Sequence, residues 1–462
     1  MSDKEAKNTT AHHGQPHVAV LAFPFSTHAA PLLAATRRLA AASPTTLFSF
    51  FNTAVSNRSL GLSAGTHGNI RAYDISDGVP EGYVFAGKPQ EEIELFMRAA
   101  PARFREGVEA AGVESGRRVR WLLTDAFFWF AAEMASEIEA PWVAFWTAGP
   151  TSLSAHIYTD LIRDNFKGSL TAAEAQEDET PLDFIPGMSK IRVRDLPEGI
   201  LFGNLKSLFS DMLHRMGRAL PSAAAVFLNS FEELDPAITD DLTSKLTTFL
   251  SIGPTNLLHK PPLPSDPDTD ACLHWLDAQK PVSVVYVSFG SVTVPPRGEL
   301  AALAEGLEVS GAPFLWSLKK SEDLPEGFVE RTRRQGKVVP WAPQEAILSS
   351  AATGAFVTHC GWNSLLESVA GGVPMICRPF FGDQRINGRV VEGVLGIGVK
   401  LEGGVVSKEG LVRALGVVLL GEEGREMRKK MKLLREKAEW AVGAQGSSTR
   451  NFNQLVKLVD LS

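Results

Sequence analysis

One 44-residue stretch, from Trp341 to Gln384, carries residue types suited to holding a sugar nucleotide. In order, WAPQEAILSSAATGAFVTHCGWNSLLESVAGGVPMICRPFFGDQ supplies an aromatic plate, a small-residue turn, an isolated carboxylate and an acid–amide pair. A flat, polarisable base needs a stacking face. Trp341 offers one, with the backbone of Ala342 available to pair with the base edge. Ribose presents two adjacent hydroxyls, a bidentate task for the carboxylate of Glu367. A diphosphate needs free N–H donors. In THCGWNS a strand is expected to end at His359, with Asn363 and Ser364 opening a helix whose N-terminus carries the positive end of its dipole. Gly290 and Ser291, where SVVYVSFG ends in a turn, give a second cradle because small residues let backbone approach phosphate closely. Each residue alone has an ordinary reading as core or surface. Their joint order is what points to a ligand.

Such residues need rigid elements behind them. At 462 residues the chain is too long for one ordinary core, so two domains are expected. Short apolar runs alternate with helical patterns, which is how stacked βαβ units read. HVAVLAFP (17–24), TLFSFF (46–51), NIRAYDI (69–75), VRWLLTD (119–125), APWVAFW (140–146) and AAAVFLNS (223–230) form a first series. Residues 253–270, GPTNLLHKPPLPSDPDTD, show no helical or strand period and read as a linker. A second series runs SVVYVSFG (283–290), FLWSLK (314–319), KVVP (337–340) and GAFVTH (354–359), and VPMICRP (373–379) is expected to complete its sheet. Near-continuous hydrophobicity within each run indicates strands buried on both faces, hence parallel sheets. The fold class is α/β.

Composition removes other classes. An apolar content of 44% and a charge content of 21% are those of a soluble globular chain. A net charge of −7 argues against a nucleic-acid surface. Three cysteines make no disulfide framework and suit a reducing compartment. Residues 1–16 lack the apolar core of a signal peptide, and no run approaches the ~18–20 residues of a membrane span. A cytoplasmic protein is the expectation. The Asp-x-Asp pattern in DPDTD (266–270) invites a metal reading, but its Pro-rich setting favours a solvated loop, and no metal or other cofactor is expected. No G-x-G-x-x-G or Walker A sequence supports nicotinamide or ATP.

The 341–384 stretch resembles the donor-binding box of the plant secondary-product glycosyltransferases, within family 1 of the nucleotide-sugar enzymes. The resemblance runs from about His17 to the C-terminus. It implies a GT-B fold of two Rossmann-like domains facing across a cleft. The implied boundaries are 1–252 for acceptor binding, 253–270 for the linker, 271–446 for UDP-sugar binding and 447–462 for a helix crossing back. It carries the general base onto His28 in FPFSTHAAPLL and its carboxylate partner onto Asp125, at the end of WLLTD. The chemistry fits: a neutral imidazole can take the proton of a weakly acidic hydroxyl, and a carboxylate can hold its tautomer. Ser26, Thr27, Gln344, Gly361 and Trp362 join the implied donor set. Thr147 is placed at the sugar's 6-hydroxyl, and Asp383 with Gln384 at the remaining hexose hydroxyls. His359, with the helix start, is expected to offset phosphate charge. Gln384 and Trp362 favour glucose, with galactose as the alternative. One departure stands at Ser350, where the family commonly has His.

Blocks such as SDGVPEGYVFAG (76–87), FWTAGPTSLSAHIYTD (145–160) and RDLPEGI (194–200) resemble the flavonoid 3-O-glucosyltransferases in particular. That implies inverting transfer from UDP-glucose to a flavonoid 3-hydroxyl by a monomer. Phe127, Phe209 and Phe381 would be the flat walls, and Gln90 and His156 the polar contacts. Transfer to another small phenol or terpenoid alcohol, and a catalytically silent nucleotide-sugar binder, remain the alternatives.

Overall fold

A computed structural model of the protein describes residues 15–25, 27–62, 65–87, 90–166, 170–258 and 267–460. The first sheet contains β1 (His17–Leu21), β2 (Leu47–Thr53), β3 (Gly65–His67), β4 (Ile70–Ile75), β5 (Trp121–Asp125), β6 (Trp142–Trp146), β7 (Ala225–Leu228) and β8 (Phe249–Ser251). Their order is β3-β4-β2-β1-β5-β6-β7-β8, parallel except for the antiparallel β3–β4 edge. The second sheet contains β9 (Val284–Ser288), β10 (Phe314–Ser317), β11 (Gly336–Val339), β12 (Thr353–Thr358), β13 (Met375–Cys377) and β14 (Gly398–Lys400). It is wholly parallel in the order β11-β10-β9-β12-β13-β14.

Burial on both faces explains why the strand sequences do not alternate. In β1, Val18 and Val20 join one core and Ala19 and Leu21 the opposite one. In β9, Val284 and Tyr286 pack to one side, and Val285 and Val287 to the other. Each fully buried valine or leucine among them contributes ~1.5–3 kcal/mol. Helices Ala29–Ala42 and Glu91–Ser115 cover opposite faces of the first sheet. The last helix, Ser447–Asp460, lies against the first domain. Ser448 donates to Gly253 O at 2.5 Å, Asn451 donates to Ser251 O at 3.0 Å, and Leu455 and Val459 enter the core of Val18 and Val20.

Three details differ from the sequence reading. The strands β8 and β14 extend series that AAAVFLNS and VPMICRP were expected to close, because three-residue edge strands carry too little pattern to declare themselves. The expected linker 253–270 gives way to helix Pro267–Asp277 over its last four residues, and proline is tolerated in a helix's first turn. The strand before THCGWNS ends at Thr358 rather than His359.

Side chains join the two domains directly. The Trp362 indole N–H donates to Asn229 O at 2.7 Å, and its ring lies so close to Gly149 that a Cβ there would sit 2.6 Å from it. Asp195, buried in the first domain, lies 3.1 Å from Lys400 Nζ and 3.7 Å from Arg389 Nε of the second.

Candidate active site

Each sheet has a point where its connections diverge to opposite sides, and open α/β sheets bind ligands at the carboxyl ends of the strands there. In the first sheet that point lies between β1 and β5, and in the second between β9 and β12. His28 follows β1 and Asp125 ends β5. Gly290 and Ser291 follow β9, and His359 to Ser364 follow β12. The two points open into one cavity of about 1380 Å³. Single-ligand pockets run to about 300–1,000 Å³, so this space suits two substrates side by side.

The His28 ring, 15% exposed, sets Nδ1 2.8 Å from Asp125 Oδ2, which is 1% exposed. A carboxylate can only accept, so the neutral ring carries its proton on Nδ1 and its lone pair on Nε2. Asp125 is held in turn by Phe127 N, which donates to Oδ1 at 2.9 Å. Phe127 and Phe23 flank the imidazole at centroid distances of 4.5 and 5.0 Å. Such an arrangement can serve as a base oriented by a buried carboxylate.

The Thr147 hydroxyl lies 3.2 Å from His28 Nδ1, beside the base. Thr27 lines the cavity next to it, whereas Ser26 lies outside the described residues. Helix Trp362–Gly371 points its N-terminus at the cavity, where Gly361, Asn363 and Ser364 line the wall. His359 is wedged between two glycines: a Cβ on Gly290 would sit 2.9 Å from its ring, and one on Gly361 2.4 Å. Gly290 also has a φ of +75°, which favours glycine. Burial lowers the His359 pKa to about 4, and its Nδ1 has no partner. The ring is therefore neutral in the unliganded protein. In that state it offers a hydrogen-bonding nitrogen at the cavity wall, beside the N-terminus of helix Trp362–Gly371.

Glu367 is held from behind. Gln344 Nε2 donates to Glu367 Oε2 at 2.5 Å and to Ser364 Oγ at 3.0 Å, while its Oε1 accepts from Tyr286 OH at 3.2 Å. Gln344 thus orients the carboxylate and does not itself line the cavity. Burial raises the Glu367 pKa to about 7. Asp383 is likewise pushed up by desolvation and accepts from Asn387 Nδ2 at 2.7 Å. Gln384 Oε1 accepts from Phe380 N at 2.8 Å and Phe381 N at 3.3 Å, leaving its amide N–H₂ to donate elsewhere. Ala342 is buried, and Trp341, 53% exposed, stands beside it at the surface rather than in the cavity wall. Trp362 lines the cavity with its indole N–H committed to Asn229.

Gln90, Phe127, His156, Phe209 and Phe381 all line the same space. Phe209 meets Phe127 edge-on at 6.3 Å, and His156 meets Trp146 at 5.6 Å. Sequence reasoning missed, among others, Phe23, Trp146 and Phe289 in the wall. Their signal was position, since each lies at or within two residues of the carboxyl end of a central strand. Among the described residues no group of His, Cys, Asp and Glu could hold a metal ion, and no helix is long and apolar enough to cross a membrane.

Two Rossmann-like domains whose switch points share one cleft define a GT-B fold, the architecture of nucleotide-sugar-dependent glycosyl transfer. The chain belongs to the UDP-glucoronosyl and UDP-glucosyl transferase family, whose profile matches residues 116–435. It is 62% identical to an anthocyanidin 3-O-glucosyltransferase of Vitis vinifera, across 96% of this chain and 97% of that one. It is 58% identical to a flavonol 3-O-glucosyltransferase of Arabidopsis thaliana, again across 96% and 97%. Among solved structures, a UDP-glucose: anthocyanidin 3-O-glucosyltransferase in complex with UDP superposes with a TM-score of 0.89 at 42% identity, covering 97% of this chain and 99% of the other.

Proposed function

We propose that the protein transfers glucose from UDP-glucose to the 3-hydroxyl of a flavonoid, an anthocyanidin or a flavonol, giving a 3-O-β-glucoside. The observation that carries this reading is the His28–Asp125 pair facing the 359–384 donor residues across a single cavity. The names of the relatives at 62% and 58% identity support the acceptor class and the sugar.

In this reading His28 Nε2 takes the proton of the acceptor hydroxyl as its oxygen attacks the anomeric carbon. Asp125 stabilises the imidazolium that forms. The bond from the anomeric carbon to the diphosphate oxygen breaks on the opposite face, so α becomes β, and UDP leaves with the electron pair. Charge developing on the diphosphate meets the N-terminus of helix Trp362–Gly371, with the turn at Gly290 and Ser291 beside it. No step calls on a metal. Glu367 holds the ribose, while Asp383 and Gln384 hold the hexose. In domain terms, residues 1–252 bind the acceptor and 271–446 the donor, and the protein acts as a cytoplasmic monomer.

The test is an acceptor screen with UDP-glucose, using a flavonol, an anthocyanidin, a simple phenol and a terpenoid alcohol, with product structures determined by NMR. A 3-O-β-glucoside is expected. Transfer only to the non-flavonoid acceptors would overturn the acceptor assignment and leave the donor half standing.

A further inference from the structure

Gly149 lies between Trp146 and helix Pro150–Ile157 and holds φ −78° and ψ 160°, an extended conformation open to every residue type. Pro150 drives its predecessor into that region whatever the side chain. The position is the helix's N-cap, where Ser, Asn and Asp serve better than glycine. Nothing local therefore calls for glycine. The reason lies in the other domain: a Cβ at this position would stand 2.6 Å from Trp362 Cζ3, 2.7 Å from Cε3 and 3.1 Å from Cη2. The ring is not free to swing aside, because its Nε1 donates to Asn229 O at 2.7 Å and the residue is buried. Asn229 is itself fixed by Thr255 N, which donates to its Oδ1 at 2.9 Å.

Each side of this contact leads into the site within two residues. Thr147 lies 3.2 Å from His28 Nδ1, and Trp146 Nε1 donates to Gly149 O at 2.9 Å. Trp362 opens helix Trp362–Gly371, with Asn363 and Ser364 next to it in the cavity wall. A ring edge against bare backbone is thus the stop at which the base's half of the cleft meets the donor's half. Ile386 and Val390, just beyond Asp383 and Gln384, pack into the first domain's core, which ties that end of the donor half to the same spacing.

We propose that Gly149 is a positioning residue whose missing side chain lets Trp362 seat, setting the distance from the base His28 to the donor held at helix Trp362–Gly371. The inference rests on the reading of the cleft as the site of glucosyl transfer. An alanine Cβ would push the ring back by about 1 Å to reach ordinary carbon contact, and a misplacement of that size slows a reaction on the order of 10²-fold. The test is single-turnover transfer from UDP-glucose to a flavonol by the full-length protein, in wild type, Gly149→Ala, Trp362→Leu and the double variant. Gly149→Ala should slow transfer by roughly 100-fold, with the affinity for UDP within about twofold of wild type. Leucine carries none of the three ring atoms, so in the Trp362→Leu background Gly149→Ala should change the rate by no more than about twofold. An equal loss in both backgrounds would place the effect in the acceptor domain's own helix and overturn the proposal, as would a Gly149→Ala rate near that of wild type. Loss of UDP affinity in step with the rate, or failure of Gly149→Ala to fold, would also overturn it, by making the contact structural. No transfer by wild type to any acceptor would instead overturn the reading beneath it.

Discussion

Donor binding should depend on pH through Glu367. Its carboxyl is desolvated, with a pKa raised to about 7, and must be ionised to accept hydrogen bonds from both ribose hydroxyls. Below about pH 7 the free protein must lose a proton before the donor binds well. The dissociation constant for UDP-glucose should then weaken about tenfold for each pH unit of descent and level off above about pH 8, since one pKa unit corresponds to a factor of ten. UDP-glucose is the right probe because its diphosphate diester does not titrate in this window. A carboxyl with a raised folded pKa stabilises the ligand-free fold at low pH and loses that contribution as pH rises through about 7, where the bound donor compensates. Isothermal titration calorimetry from pH 6 to 8 reads both affinity and proton release into the buffer. Glu367→Gln should bind more weakly at pH 8 and show a flat profile. A wild-type affinity independent of pH, or an equal slope in Glu367→Gln, would refute the reasoning.

Asp383→Ala should raise the KM for UDP-glucose by roughly tenfold or more while leaving the affinity for UDP alone unchanged, because only the hexose contact is lost. Equal losses for both ligands in a competition assay would show that Asp383 shapes the diphosphate site instead. Asp195→Ala should destabilise the protein by ~3 kcal/mol, because it strands the Lys400 charge at a partly buried domain junction while Arg389 keeps Glu392 and Lys190 O. A denaturant midpoint equal to that of wild type would show the pair to be idle.

Most of the candidate donor residues were legible because His359 to Gln384 form one contiguous stretch beginning at the end of a long apolar strand, whereas Trp341 and Gln344, upstream of it, do not line the cavity. Central strands such as β1 and β9 announced themselves because burial on both faces removes polar alternation. The edge strands β3, β8 and β14 did not, since three residues hold no period. Pairings across the molecule left no local signature either. Nothing near Asp195 predicts Lys400, and nothing near Trp362 predicts that its indole N–H reaches Asn229 O. Burial was likewise hidden: nothing near His359 in sequence shows that its ring packs against Gly290 and Gly361 and is desolvated enough to lower its pKa to about 4. His28 and Asp125 are 97 residues apart, and only the adjacency of β1 and β5 turns two strand-end residues into a pair 2.8 Å apart.

Single-turnover kinetics of His28→Ala would show whether this pair removes the acceptor proton. With UDP-glucose saturating and a flavonol as acceptor, the transfer step should slow by roughly 10²–10⁴-fold while the affinity for UDP-glucose stays within about twofold of wild type. A transfer rate near that of wild type would contradict the assignment of His28 as the base.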